Sequence, residues 1–339
     1  MTYKSFLRLL LVAVLFWLSS SVFAAIARGG VSPENLAVVV NVEDDNSMEV
    51  GKYYLAARNI PKINLIKVHI ALGERSLNPA KFDILRKDII SQLKPNIQAI
   101  VMVWTTPYAV SCNSITSALT LGYDAKQCEN TCAKGKFNPY FDSQSRKPFV
   151  DYGLRISMLL PVESVEQAKA LIDRGVLSEF KLNEASAYLL NTSDKARSSR
   201  AIFFPKSTRI DSKKLQINTM NANAIEGKQD VMFYFTGLTH VPNLPTLTFM
   251  PGAIADHLTS SGGDLLGSSQ MSSLRWLEAG ATASYGTVSE PCNYWQKFSN
   301  PSVLMKHYLS GETAIESYWK SVAWPAQGLY IGEPLAKPY

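Results

Sequence analysis

The stretch NLAVVVNV, residues 35–42, is short, unbroken and rich in β-branched side chains. Such a run packs well on a pleated surface, and with no polar alternation it reads as a strand buried on both faces of a parallel sheet. Outward from it, Asp44-Asp45-Asn46-Ser47 supplies a turn and an N-cap for a helix through Arg58, which Pro61 stops. Residues 65–70 (LIKVHI) form the next strand. Asn78-Pro79 caps a second helix, with Phe82, Leu85, Ile89 and Leu93 along one face, and residues 99–104 (AIVMVW) make a third strand. Strand, helix, strand, helix, strand at this spacing is a βαβαβ unit, so the expected class is α/β with a mostly parallel sheet flanked by helices.

Beyond this unit the signals thin out. Residues 123–150 are rich in Cys, Asn, Lys, Gly and Pro, and read as a long surface excursion. Residues 154–160 resume as a strand and 164–175 as a capped helix. Residues 188–190 and 201–204 are strand candidates, and 212–223 reads as helix. Val231 to Thr236 is a strongly apolar strand, Ala253 to Thr259 reads as helix, Asp264 to Leu266 as a short strand, and Thr282 to Tyr285 as a buried strand. Helices follow at Met271 to Glu278, from Pro301, and from Glu312 to Lys320, and residues 328–335 read as a final strand or turn at the sheet edge. The polar stretch 191–200 divides the chain into an N-terminal lobe, 25–190, and a C-terminal lobe, 201–339, unless the two are one continuous domain.

Composition narrows the function. The chain has 339 residues, 46% of them hydrophobic and 18% charged, which excludes a disordered protein. Lys4 and Arg8 precede an apolar run, Leu9 to Leu18, and then Val22-Phe23-Ala24. This is the pattern of a cleavable signal peptide, 1–24, too short to span a bilayer, so the protein is expected to be exported to the periplasm or beyond, with no transmembrane span after cleavage. The net charge of +6, less Lys4 and Arg8, leaves +4. The pairs Arg197/Arg200 and Lys213/Lys214 are too small to track a phosphate backbone and read as solvated faces, so nucleic acid is excluded as a partner. In an oxidising compartment the four cysteines, Cys112, Cys128, Cys132 and Cys292, are expected in disulfides; three pairings are open and spacing does not choose. Cys128-x3-Cys132 lacks a second ligand pair nearby, which argues against zinc.

Candidate chemistry gathers between residues 252 and 292. A thiol mechanism would use Cys292 with His257 or His240. A serine mechanism would use Ser260, Ser261 or Ser284 with His257 and Asp256 or Asp264, although no Gly-x-Ser-x-Gly elbow is present. A metal would need Asp256, His257 and Glu290, without any paired histidine spacing; neither metal nor cofactor is expected. Tyr285, Tyr294, Trp295, Trp319 and Trp324 could stack on sugar rings, but read more simply as core and rim packing. A binding crevice is expected where strand ends meet, lined by Thr105, Tyr108, Asn113, Gly237, Ser284, Tyr285, Glu290 and Asn293.

Two resemblances accompany these residues. Asn35 to Pro61, NSITSA at 113–118, QMSS at 270–273, GATASYGTVSEPC at 280–292 and GEPL at 332–335 resemble an uncharacterised family of exported bacterial proteins found in species that carry exosortase, an envelope protein-sorting system. That resemblance implies a context, not an activity. In the last third, Val231 to His240, Gly280 to Pro291 and Gly332-Glu-Pro334 are similar in order to gingipain-type, caspase-like cysteine peptidases, whose successive strands end in a catalytic His-Gly and a catalytic Cys. Here the first strand ends in Thr236-Gly237 with His240 displaced, and Ser260-Ser-Gly-Gly263 stands near the nucleophile's place. The resemblance therefore implies the fold without its dyad. The expectation is a non-catalytic or degenerate peptidase-like protein that binds an envelope protein, a peptide or a polysaccharide; the alternative is a cysteine or serine hydrolase or transferase.

Overall fold

The computed structural model describes residues 30–267 and 269–339; the signal-peptide reading lies outside them. Residues 31–339 form one compact unit. The opening unit folds as the periodicity requires: β1 (Leu36–Asn41), α1 (Asp45–Ala57), β2 (Leu65–Val68), the two-residue β3 (Ser76–Leu77), α2 (Pro79–Gln92) and β4 (Ala99–Val103). Every residue of β1 and β4 is buried. The Asp44 carboxylate accepts from Asn46 N–H at the start of α1, and the Asn78 side chain accepts from Lys81 N–H at the start of α2, beside Pro79.

The short strands β5 (Ala109–Val110) and β6 (Asn113–Ser114) join β3 in a small second sheet, and lead to α3 (Ile115–Leu121), α4 (Ala125–Glu129) and α5 (Pro148–Tyr152). The excursion at 123–150 is not wholly superficial. Asn138 and Tyr140 are fully buried, and the Asn138 amide donates to the carbonyls of Trp319 (2.8 Å) and Val322 (3.1 Å).

The chain continues through β7 (Ile156–Leu160), α6 (Val165–Leu177), β8 (Ala185–Asn191), β9 (Thr208–Ile210), β10 (Leu215–Asn221), β11 (Val231–Thr236), β12 (Phe249–His257), α7 (Leu274–Glu278), β13 (Ala283–Thr287), α8 (Pro301–Leu309), α9 (Ala314–Ser321) and β14 (Gly328–Gly332). The main sheet has the order β2-β1-β4-β7-β14-β13-β12-β11-β8-β10-β9. Eight strand pairs within it are parallel, and the sheet is flanked by helices, as expected: β1/β2, β1/β4, β4/β7, β7/β14, β8/β10, β8/β11, β11/β12 and β12/β13.

Five local readings need correction. Residues 253–257 belong to a strand, because burial between β11 and β13 overrides a short apolar run that periodicity cannot assign. Residues 215–221 are also strand, while 201–203 form a 3-10 turn and 264–266 a turn. The final strand is not at the edge: β14 is inserted between β7 and β13, and pairs antiparallel with β13.

Candidate functional site

The strand ends meet where backbone approaches backbone. Leu258 N–H donates to Thr236 O at 3.0 Å, Gly263 N–H to Thr287 O at 2.9 Å, and Met271 N–H to Thr239 O at 2.8 Å. Only glycine permits this at position 286, where a Cβ would stand 2.3 Å from the Gly262 carbonyl carbon. The loop after β4 joins the same place: the Tyr108 hydroxyl donates to Asp264 Oδ1 (2.5 Å), and the Ser289 hydroxyl to Cys112 O (2.7 Å). The corners at 105–113, 236–240 and 284–293 therefore converge on one rim.

Convergence does not make a reactive pair of the predicted residues. Asp256 and His257 are successive strand residues, so their side chains point to opposite faces of the sheet. His257 is fully buried. Trp276 Nε1–H donates to its Nδ1 (3.0 Å), so Nε2 carries the proton and donates to Met271 O (3.1 Å). Burial pushes its pKa down to about 3, with the nearby Arg200 charge adding to the shift. This is a neutral imidazole with both nitrogens committed.

Asp256 is held as firmly on the other face. Its Oδ1 pairs with Arg200 Nη1 at 2.5 Å, and its Oδ2 accepts from Ser299 (2.7 Å) and Tyr318 (3.3 Å). Arg200 also donates to Thr236 O, Asp256 O and Ser299 O, and is 1% exposed. The solvated-face reading of Arg200 is corrected: it is a buried clamp across the ends of β11 and β12.

Cys292 forms a disulfide with Cys132, and Cys112 with Cys128, leaving no free cysteine among the described residues. As folded, Cys292 offers no thiolate. It and Asn293 adopt left-handed backbone conformations (φ 60° and 59°), and Cys292 N–H donates to the Glu290 carboxylate at 2.8 Å. The excursion is thus stapled at two points to the rim.

Of the remaining expected crevice residues, several serve the interior. Ser284 and Tyr285 are buried in β13, and the Tyr285 hydroxyl donates to Lys297 O (2.5 Å). Thr105 accepts from Val162 N–H (2.9 Å), while the Asn113 side chain brackets Asp124, accepting from its N–H and donating to its O. Gly237 sits so close to Arg197 that a Cβ would fall 1.9 Å from its carbonyl oxygen. Glu290 and Asn293 are exposed at the corner. Trp319 is core, whereas Tyr294 and Trp324 pair at the surface with centroids 5.7 Å apart. Sequence reasoning missed Trp276 and Lys297. Lys297 is buried, donates to Thr131 O (2.5 Å), and has its pKa pushed down to about 8 by burial.

His240 alone among the proposed bases faces open space. It is exposed and lines a cleft of about 850 Å³ with Val241, Leu244, Leu265, Met271 and Arg275. The walls are largely apolar, and polar groups from Gln270, Ser272 and Glu278 interrupt them. Among the described residues no hydrogen bond joins His240 to a hydroxyl or carboxylate, and no group of three or more His, Cys, Asp or Glu side chains gathers that could hold a metal ion. Among them, too, no helix is long and apolar enough to cross a membrane.

No family model matches the chain, and no curated protein matches it. Two solved structures are similar to it. One is described only as a protease: identity is 12% and the TM-score 0.46, over 91% of this chain and 79% of that one. The other is the Arg-specific cysteine proteinase gingipain R, with 11% identity and a TM-score of 0.47, over 90% of this chain and 78% of that one. In both, the matched region extends well beyond the last third, where the sequence resemblance lies.

Proposed function

We propose that this is an exported envelope protein that binds a peptide segment without cleaving it, in the cleft beside His240. The observation that carries the reading is the commitment of the reactive groups. His257 has both nitrogens engaged, Asp256 is neutralised by Arg200, and Cys292 is oxidised, while an open, mostly apolar cleft stands at the same rim. Apolar walls broken by a few polar groups suit peptide side chains alternating with main-chain amides. The resemblance to an exported family of exosortase-carrying species points to envelope protein sorting as the setting.

The test uses fluorescence polarisation with a panel of short labelled peptides, blocked at both ends and varied in apolar side chains. At least one sequence class should bind the oxidised mature chain, and Leu266→Arg, which places a charge in the cleft wall, should weaken it at least tenfold. Absence of binding throughout the panel sinks the peptide reading. Turnover of any peptide that is lost in His240→Ala sinks the non-catalytic one.

A further inference from the structure

A second, smaller cavity lies between α6 and α7, with a volume of about 260 Å³. Leu171 of α6 and Leu274 and Leu277 of α7 make it apolar, and Pro161, at the end of β7, closes one side. Arg174 lines the same space. Its Nη2 donates to the carbonyls of Leu277 (2.9 Å) and Ala281 (3.2 Å), which fixes the guanidinium plane against α7. Its Nε is buried with no partner. Among the described residues Arg174, which is half-buried, forms no ion pair, whereas the buried Arg58 holds Glu333 and the buried Arg200 holds Asp256. Burial without a compensating carboxylate lowers its pKa from the usual arginine value, yet guanidinium remains charged at any physiological pH.

Arg174, without an ion pair among the described residues, stands beside the aliphatic wall, and the carboxylates of Glu163 and Glu278 stand elsewhere in the same lining, so an aliphatic body that carries its own carboxylate would meet the guanidinium. With both Nη2 hydrogens on the carbonyls of Leu277 and Ala281, Nη1 is left to donate to a carboxylate oxygen. We propose that this cavity binds a small aliphatic molecule ending in a carboxylate, with the carboxylate on Arg174 and the aliphatic part on Leu171, Leu274 and Leu277. The volume is below the roughly 300–1,000 Å³ of drug-sized sites, which fits a single residue-sized ligand. Two sources share this chemistry: a free aliphatic amino acid and the C-terminal residue of a peptide. Glu163 and Glu278 line the same cavity, and Glu163 forms no ion pair among the described residues, so an ammonium on the ligand would meet negative charge there. The proposal does not rest on the peptide cleft: α7 lies between the two cavities, contributing Arg275 to one, Leu274 and Leu277 to the other and Glu278 to both.

Titration calorimetry of the oxidised mature chain with L-leucine, N-acetyl-L-leucine and L-leucinamide tests it. At least one of the two carboxylates should bind at least tenfold more tightly than the amide. Preference for leucine over the acetylated form assigns the free amino acid, and the reverse assigns a peptide C-terminus. Arg174→Gln should reduce binding at least tenfold. Because that change also disturbs the carbonyls of Leu277 and Ala281, Ala170→Trp, which fills the exposed side of the cavity and leaves those bonds intact, should abolish binding by itself. Equal binding of amide and acid, no binding of any of the three, or full binding in Ala170→Trp overturns the proposal.

Discussion

Replacing Arg200 by Met removes the cation from a fully buried pair while keeping most of the side-chain volume. The Asp256 carboxylate left behind retains donors from Ser299 and Tyr318 but loses its counter-charge at 2.5 Å. Breaking a buried pair in this way costs about 3–5 kcal/mol. The carbonyls of Thr236, Asp256 and Ser299 lose a donor as well, although Thr236 O still accepts from Leu258 N–H, so the ion pair dominates and the total should stay near the upper part of that range. Asp256→Leu strands the opposite charge and should cost a similar amount. The double variant Arg200→Met/Asp256→Leu removes both charges together, and should be less destabilised than the sum of the singles by at least about 2 kcal/mol. Urea unfolding of the oxidised proteins, followed by tryptophan fluorescence and far-UV circular dichroism, reads these differences from midpoints at a common slope. An Arg200→Met cost below about 1 kcal/mol, or strict additivity in the double variant, would refute the clamp.

Two further expectations follow from the same rim. His257 has a folded pKa of about 3 against an ordinary value of 6.5, so the unfolded chain binds the extra proton between them. The stability this provides is complete above about pH 6.5 and falls by about 1.4 kcal/mol per pH unit as the pH drops toward 3; His257→Gln should flatten that slope relative to the parent in urea midpoints taken from pH 7 to 4, and an unchanged slope counts against a buried neutral imidazole. Gly286→Ala drives a Cβ to 2.3 Å from the Gly262 backbone and should cost 2 kcal/mol or more, whereas Gly262→Ala meets nothing closer than 3.5 Å and should stay within about 1 kcal/mol; equal thermal shifts in the two would contradict the close crossing.

The opening βαβαβ unit was legible because its signals are local: β-branched runs, side-chain caps and a proline at the first helical position all lie within a few residues of what they specify. β12 was misread because GAIADH is short and apolar, and such a run takes its conformation from the neighbours it pairs with. The interior position of β14 depends on pairing with β13 and contact with β7, partners that no local pattern names. Arg200 was misplaced for a similar reason: Arg-Ser-Ser-Arg is polar in isolation, and its counter-charge comes from a distant strand. Of the candidate site, the meeting of the three corners was expected from loops that leave strand ends, and the hydrogen bonds between them place it there. Which imidazole is exposed and how the cysteines pair was not, since both depend on side-chain direction and on the path of the 123–150 excursion.

The placement of β14 bears on when this molecule can become itself. Strands made early, β1 to β7, and strands made in the middle of synthesis, β8 to β13, flank a gap that only residues 328–332 fill. Until that segment arrives, two apolar slabs have no common backbone between them, and the buried Tyr54-Arg58-Glu333 cluster lacks its carboxylate. Pairing of the two halves of the sheet through a common strand therefore waits on residues 328–332.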